Sequence, residues 1–284
     1  MSVAPIHWDE LERRIDDSAD RYRSAAPFPF VVFDDFLDQQ ACQASLEEFR
    51  ALDDQRWQGF IHINERKFSH TDPTEWGPEL QRLLADLNSP KFLELLTKLT
   101  GIEGLKADPA LEGGGLHRSG QGGFLNVHAD YTVHPHHQHW ARRVNLLLYM
   151  NQDWHLDYGG DLELWARDMS KCQEKIAPLF NRAVIFSTES DSFHGHPIPM
   201  TCPSDIYRRS LALYYFTEEE KPIVHSTNYQ ARPEDGWKKI LISADRRALQ
   251  AYDWLKRKTG ISDDRIHKIF GSIDRLRSRS KKTP

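Results

Sequence analysis

The stretch Phe124-Leu-Asn-Val-His-Ala-Asp-Tyr131 decides how the chain is read. Its apolar residues suit a strand, yet an imidazole and a carboxylate interrupt it at His128 and Asp130. Side chains alternate along a strand, so residues two apart project from one face. His128 and Asp130 therefore point together into whatever the sheet encloses. Taken alone, such a pair is equally a hydrogen-bonded couple at a strand end. A second histidine would change its meaning, because two imidazoles and one carboxylate on one face of a metal leave the opposite face open. That arrangement suits ferrous iron, which must hold both a cosubstrate and dioxygen.

Outward from this stretch, the middle of the chain alternates with period two or runs solidly apolar. Residues 30–37 (FVVFDDFL), 122–131, 143–151 (RVNLLLYMN), 159–165 (GGDLELW), 182–187 (RAVIFS) and 208–217 (RRSLALYYFT) read as strands. Gly, Asn, Asp and Pro punctuate their ends, as at Asp157–Gly160 and Met200–Pro203. Helical zones flank them. Asp38 can cap a helix running to about Leu52. Ser89-Pro90 opens another that Gly101 closes. A third begins at Ser243 and closes at Gly260, and an amphipathic stretch follows it. Many short strands argue for a sandwich or jelly roll rather than alternating βαβ units. The expectation is one mainly β domain over 1–284, with a core at about 27–217 and a helical extension at 237–284.

The formal net charge of −5 provides no global basic field, so no nucleic-acid partner is expected. The basic tail from Arg275 to Lys282 reads as a solvated helix end. Eight Trp, nine Tyr and fourteen Phe supply bulk for a sizeable core and argue against disorder. The polar, acidic start does not have the form of a signal peptide. No apolar run reaches the roughly eighteen residues of a membrane span. Cys42, Cys172 and Cys202 are scattered and odd in number, which fits a reducing cytoplasm.

The candidate third ligand lies just after RAVIFS, in SDSFHGHPIP, where His194 and His196 compete. His194 is preferred, because Gly195 gives the backbone room and His196 leads into a proline-rich turn. In the next strand, alternation puts Arg208, Ser210, Ala212 and Tyr214 on one face and Arg209, Leu211, Leu213 and Tyr215 on the other. A guanidinium inside a barrel calls for an anion, and its fork matches a carboxylate. Arg208 thus implies a ligand carboxylate, with Arg209 the competitor by one position. The same parity groups Asn145, Leu147 and Tyr149. Tyr149 can give its hydroxyl to that carboxylate and Asn145 can brace it, although a core tyrosine with a satisfied hydroxyl reads the same. On the substrate side the candidates are Tyr131 and, in the glycine-rich stretch before the ligand strand, His117 and Arg118. That stretch reads equally as a tight connection with Arg118 in solvent. It lacks the Lys-Ser/Thr ending of a phosphate-binding loop.

His128-x-Asp130, then His194, then Arg208 opening a strand that ends in YYF resembles the iron(II)/2-oxoglutarate-dependent oxygenases, specifically their prolyl 4-hydroxylase-like branch. FPFVVFDDFL, LLLYMNQDW, YGGDLELW and RAVIFST fall in order, so the resemblance spans about Pro27 to Thr217. It implies a double-stranded β-helix, a jelly-roll barrel, buttressed by N- and C-terminal helices. It implies iron(II) on His128, Asp130 and His194, 2-oxoglutarate on Arg208 with Tyr149, Asn145 and Ser210, dioxygen as oxidant and ascorbate as a candidate reductant. The implied reaction hydroxylates an unactivated C–H and releases succinate and carbon dioxide. Halogenases of this type carry a small residue where Asp130 stands, so hydroxylation is expected. The leading substrate is a small molecule such as an amino acid, sugar or natural-product intermediate. The alternatives are a prolyl or other residue of a protein, and a jelly-roll sensor without turnover. The segment TVHPHHQHWARR is longer and richer in histidine than that branch implies; it either borders the substrate entrance or is a solvated loop. The C-terminal part lies outside the resemblance and is expected to support the barrel or form a homodimer interface.

Overall fold

The computed structural model describes residues 4–236, 239, 240 and 242. The helix expected from Ser243, and with it nearly all of the 237–284 extension, lies outside the described residues.

Among the described residues are helices α1 (Trp8–Asp16), α2 (Ala19–Ser24), α3 (Gln39–Ala51), α4 (Pro78–Leu87) and α5 (Pro90–Thr100). The strands are β1 (Phe30–Phe33), β2 (Gln58–His62), β3 (Glu65–His70), β4 (Lys106–Ala107), β5 (Gly115–Ser119), β6 (Phe124–Ala129) and β7 (Trp140–Tyr149). After them come β8 (Leu162–Trp165), β9 (Cys172–Ile176), β10 (Arg182–Ser187), β11 (His194–His196), β12 (Arg208–Glu218) and β13 (Asn228–Tyr229). The caps are those read from the sequence. Asp38 accepts from the Gln40 and Ala41 amides at 2.9 and 3.1 Å, and Ser89 accepts from the Phe92 amide at 3.2 Å. Gly101 ends α5 at φ 75°, a left-handed position that glycine takes without steric cost.

All pairings are antiparallel, in the order β1-β10-β7-β12-β5-β3-β6-β11-β8-β9. The sheet curls, so its two halves face each other as in a double-stranded β-helix. Tyr149, Val184 and Phe186 of the first half pack against Leu162, Leu164 and Ile176 of the second. The outer face of the first half is covered by the helices. Val144, Leu146, Leu148, Leu211, Leu213 and Tyr215 join Leu46, Leu80, Leu83, Phe92 and Leu96 in the main core. Burying a side chain of this size is worth about 1.5–3 kcal/mol. This layer holds β7 and β12 rigid, and their other faces carry Asn145, Tyr149, Arg208 and Ser210.

Two readings of the sequence change here. The strand expected over 30–37 stops at Phe33, because Asp35 takes φ 48° and turns the chain. The glycine-rich stretch read as a connection contains β5, a strand between β12 and β3. Its Gly115 serves close backbone approach: a Cβ there would lie 2.7 Å from the His70 carbonyl oxygen.

Asn181 stitches the N-terminal segment to the barrel. It sits at φ 57°, tolerable for asparagine, and is buried. Its Oδ1 accepts from the Leu37 amide at 2.9 Å and its Nδ2 donates to the Leu37 carbonyl at 2.8 Å. Its own amide donates to the Tyr149 carbonyl at 3.0 Å, at the end of β7. Asn181→Ala leaves both Leu37 groups unpaired. The expected loss is about 2–4 kcal/mol of unfolding free energy in a urea titration; a change below about 0.5 kcal/mol would show that the stitch carries no stability.

Candidate metal centre

The centre is assembled by β6 and β11. His194 pairs with His128 and His196 with Leu125, so two residues of β11 span three of β6 and β6 carries a bulge. The bulge resets the alternation of β6, which lets Leu125 and His128 both face inward. His128 Nε2 lies 3.4 Å from Asp130 Oδ1, and His194 Nε2 lies 3.5 Å from Asp130 Oδ2. The ligand atoms of the three residues all fall within 4.8 Å of one another, and all three residues are buried. They could hold one cation.

The imidazoles are pre-set for it. His128 Nδ1 lies 2.9 Å from the Asn126 carbonyl, and His194 Nδ1 lies 2.9 Å from the Ser192 carbonyl. A carbonyl only accepts, so each Nδ1 carries the proton and each Nε2 turns a bare lone pair toward Asp130. Burial pushes His194 down to about 4, against the pull of Asp130, so the ring is neutral near pH 7. Burial alone would raise the Asp130 carboxyl, but Arg142 and then His194 hold it well below the usual range. Arg142 Nη2 lies 2.9 Å from Asp130 Oδ2, the same oxygen that accepts from Asn145 Nδ2 at 2.8 Å. Arg142 Nε donates to Asn145 Oδ1 at 2.9 Å, closing the triangle. The guanidinium lies 3.4 Å from the Tyr214 ring centroid and 4.7 Å from that of Tyr131.

Four residues along β7 from Asn145 is Tyr149, whose hydroxyl accepts from Arg208 Nη2 at 3.1 Å. Arg208 Nε donates to the Gly160 carbonyl at 2.7 Å. At Gly160 a Cβ would stand 3.1 Å from Arg208 Cδ, so the glycine makes room for the guanidinium. Arg208 is buried and has no carboxylate partner among the described residues. Arg209 turns to the opposite face beside Tyr207, 5.4 Å from its ring; burial, then Arg50 and Arg118, push it down to about 10.

The remaining candidates divide. Asn145 spends its amide on Asp130 and Arg142, not at the Arg208 end where it was expected to brace the cosubstrate. Ser210 stands cross-strand from both Tyr149 and His117, on the inner face. His117 is also inward, with no partner for its buried Nε2. Arg118, one residue on, alternates to the other face: it bonds Asp54 at 2.7 Å and stacks 4.3 Å from the Trp57 ring centroid. Tyr131 donates its hydroxyl to the Glu112 carbonyl at 2.7 Å and lends its ring to Arg142. His196 faces the interior two residues beyond His194, with an unpartnered Nδ1. Gly195 is required between them, since a Cβ there would lie 2.8 Å from the Leu125 carbonyl. In the histidine-rich segment His134 is buried, accepting from the His136 and His137 amides at 3.1 Å, while His136, His137 and His139 are exposed.

Arg142 was missed by the sequence reading. Counting by twos from Asn145 puts Arg143 inside, but a register shift between Tyr215 and Phe216 of β12 skips Arg143 and turns Arg142 inward. Glu65 and Lys67 were missed because the β2–β3 hairpin carries too few apolar residues to announce a strand.

Residues 114–216 match the family model of the 2OG-Fe(II) oxygenase superfamily. A prolyl hydroxylase from Trichoplax adhaerens, solved with a hypoxia-inducible-factor peptide fragment, is 18% identical with a TM-score of 0.54, covering 73% of this chain and 91% of its own. A Pseudomonas putida prolyl-4-hydroxylase is 18% identical with a TM-score of 0.51, covering 74% and 99%. A prolyl 4-hydroxylase from Phytophthora capsici is 23% identical with a TM-score of 0.52, covering 88% and 75%. The search of curated proteins finds no match. The family model spans residues 114–216, and the likeness to these prolyl hydroxylases is one of fold.

Outer-shell partners of a metal ligand typically govern affinity by 10–100-fold. Arg142→Met is therefore expected to weaken Mn(II) binding by roughly 10–100-fold in calorimetry. Unchanged affinity would mean that Asn145 alone suffices to hold Asp130.

Proposed function

We propose that His128, Asp130 and His194 hold iron(II), that Arg208 with Tyr149 holds the distal carboxylate of 2-oxoglutarate, and that the enzyme hydroxylates an unactivated C–H of a small molecule. The observation that carries the reading is the pair of Nε2 lone pairs turned onto one carboxylate, with both Nδ1 atoms tied to carbonyls. Iron(II) with 2-oxoglutarate and dioxygen supplies the oxidising chemistry, yielding succinate and carbon dioxide. The chain's part is positional. Arg142 and Asn145 keep Oδ2 of Asp130 engaged, which leaves Oδ1 to the metal. Phe186 packs edge-on against the His194 ring at 4.7 Å and, with Val184 and Leu164, makes that wall dry. Arg208, buried without an acid of its own, anchors an anion across the interior from the metal ligands.

A small polar substrate is supported by the charged side chains that share this interior, buried Glu65 and half-buried Lys67. A peptide substrate is the second reading. It is favoured by the exposed Ile61 and Ile63 of the β2–β3 hairpin, and by exposed Ile223 and Val224. The Ile223 carbonyl binds Thr132, two residues past Asp130. Cys42, Cys172 and Cys202 are all free, which supports work in the reducing cytoplasm. No described helix is long and apolar enough to cross a membrane.

His128→Ala is expected to abolish conversion of 2-oxoglutarate to succinate in the presence of ferrous iron; undiminished turnover would remove His128 from the centre. Loss of a buried charge-assisted contact costs on the order of 2–5 kcal/mol. Arg208→Ala should thus raise the apparent KM for 2-oxoglutarate by roughly 30-fold or more, and Arg209→Ala by far less. The reverse order would move the anion anchor to Arg209.

A further inference from the structure

A charged row on the outer face of the barrel plays no part in the centre. Arg209 of β12 stands directly opposite Arg118 of β5, which stands opposite Phe68 of β3. Arg209 follows Arg208 but alternates to the other face, so this row lies outside the barrel. Farther along that face Leu211 and Leu213 join the helix-covered core. Arg209 comes at the start of β12, where the last turn of α3 brings the charge of Arg50 to it.

Two guanidiniums share one ring. Arg118 Cζ lies 5.1 Å and Arg209 Cζ 5.4 Å from the Tyr207 ring centroid. The ring is seated against Gly120, where a Cβ would come within 3.1 Å of it. Arg209 is held by its backbone: its amide donates to Asn151 Oδ1 at 2.6 Å, and its carbonyl accepts from Asn151 Nδ2 at 3.2 Å.

The charges here do not balance. Like charges directly opposite on neighbouring strands destabilise a sheet. Burial, then Arg50 and Arg118, push Arg209 down to about 10, which still leaves it protonated near pH 7. The carboxylate in contact with the group is Asp54, whose Oδ1 accepts from Arg118 Nη1 at 2.7 Å. Its side chain is 83% exposed, so the pair is easily given up to water or to a stronger anion. Among the described residues neither Arg50 nor Arg209 has an ion-pair partner. A guanidinium offers five N–H donors. Arg209 spends one on the Tyr207 carbonyl at 3.3 Å, and Arg118 spends one on Asp54. Three cations against one carboxylate leave two positive charges, with donors to spare. A local rule broken in this way is expected where a site serves a ligand.

We infer that Arg50, Arg118 and Arg209, gathered around Tyr207, form a binding site for a phosphoryl group on the outer face of the barrel. The forks of neighbouring arginines can share the several oxygens of one phosphate. A phosphate monoester carries close to two negative charges near pH 7, which is the charge the cluster lacks. A carboxylate ligand would supply only half of it. Asp54 holds one guanidinium in the free protein, and the phosphate displaces it.

The test titrates inorganic phosphate, glycerol phosphate and acetate into the full-length protein at constant ionic strength, read by calorimetry. Mn(II) and excess 2-oxoglutarate are added first, so that the interior around Arg208 does not report. Inorganic phosphate should bind saturably, and acetate at least tenfold more weakly. Arg209→Gln and Arg50→Gln should each weaken phosphate at least fivefold. Arg50 is exposed, so R50Q probes the site without disturbing the core. Asp54→Asn removes the competing carboxylate and should tighten phosphate at least threefold. Glycerol phosphate bound as tightly as inorganic phosphate makes the ligand a phosphate monoester, and its exclusion makes the ligand the free ion. The inference is overturned by a phosphate response that never saturates, or by acetate binding as tightly as phosphate. Undiminished affinity in R50Q/R209Q, or a D54N variant that binds phosphate no more tightly than the wild type, overturns it equally.

Discussion

Everything at the centre depends on one carboxylate being kept charged inside a dry barrel. Asp130 is buried, and burial by itself favours the protonated form. Arg142 and Asn145 reverse that preference by placing a cation and an amide donor on the same oxygen. The guanidinium in turn lies against the Tyr131 and Tyr214 rings, so its orientation is set by packing as well as by charge. A charge held in this way has one free oxygen, with His128 Nε2 3.4 Å from it, while His194 Nε2 lies 3.5 Å from the engaged oxygen.

The rest of the fold supplies the rigidity. β7 and β12 are two-faced: Leu146, Leu148, Leu211 and Leu213 anchor them to the helical layer, while Asn145, Tyr149, Arg208 and Ser210 occupy the inner side. Because one face is pinned by apolar burial, the polar face has little freedom to slip. A one-residue slip would send Arg208 to the helices and Leu211 to the site. The same logic links the N-terminal segment to function, since Asn181 ties it to the end of β7 beside Tyr149. The interior that results is polar at its two ends, with the metal ligands at one and Arg208 at the other, and apolar along the wall made by Val184, Phe186 and Leu164.

Parity arguments on single strands carried far in this chain, and they failed where strands bulge. The choice of Arg208 over Arg209 for the inner face follows from the Leu-x-Leu pattern of β12, and the structure has that alternation. The outward turn of Arg118 follows from the same rule once β5 is known to be a strand. Arg142 shows the limit. Its inward turn depends on a bulge whose cause is the mismatch between β7 and β12, a property of two strands together. The inward-facing Glu65 and Lys67 show another limit, because a hairpin dressed in charged residues has no apolar period to read.

By itself the sequence determined the class of fold, the capped helices at Asp38 and Ser89, and the residues His128, Asp130, His194, Arg208 and Tyr149 as the candidates for the chemistry. Those are properties of local pattern: alternation, capping chemistry and the donor types that a cation or a carboxylate requires. Only the tertiary structure decided which side chains serve those candidates. That Asn145 supports Asp130 instead of the cosubstrate, that Arg118 stacks on Trp57, and that Lys67 enters the interior all depend on which strands lie side by side. Neighbours in a curled sheet are set by long-range pairing, and no local pattern records them.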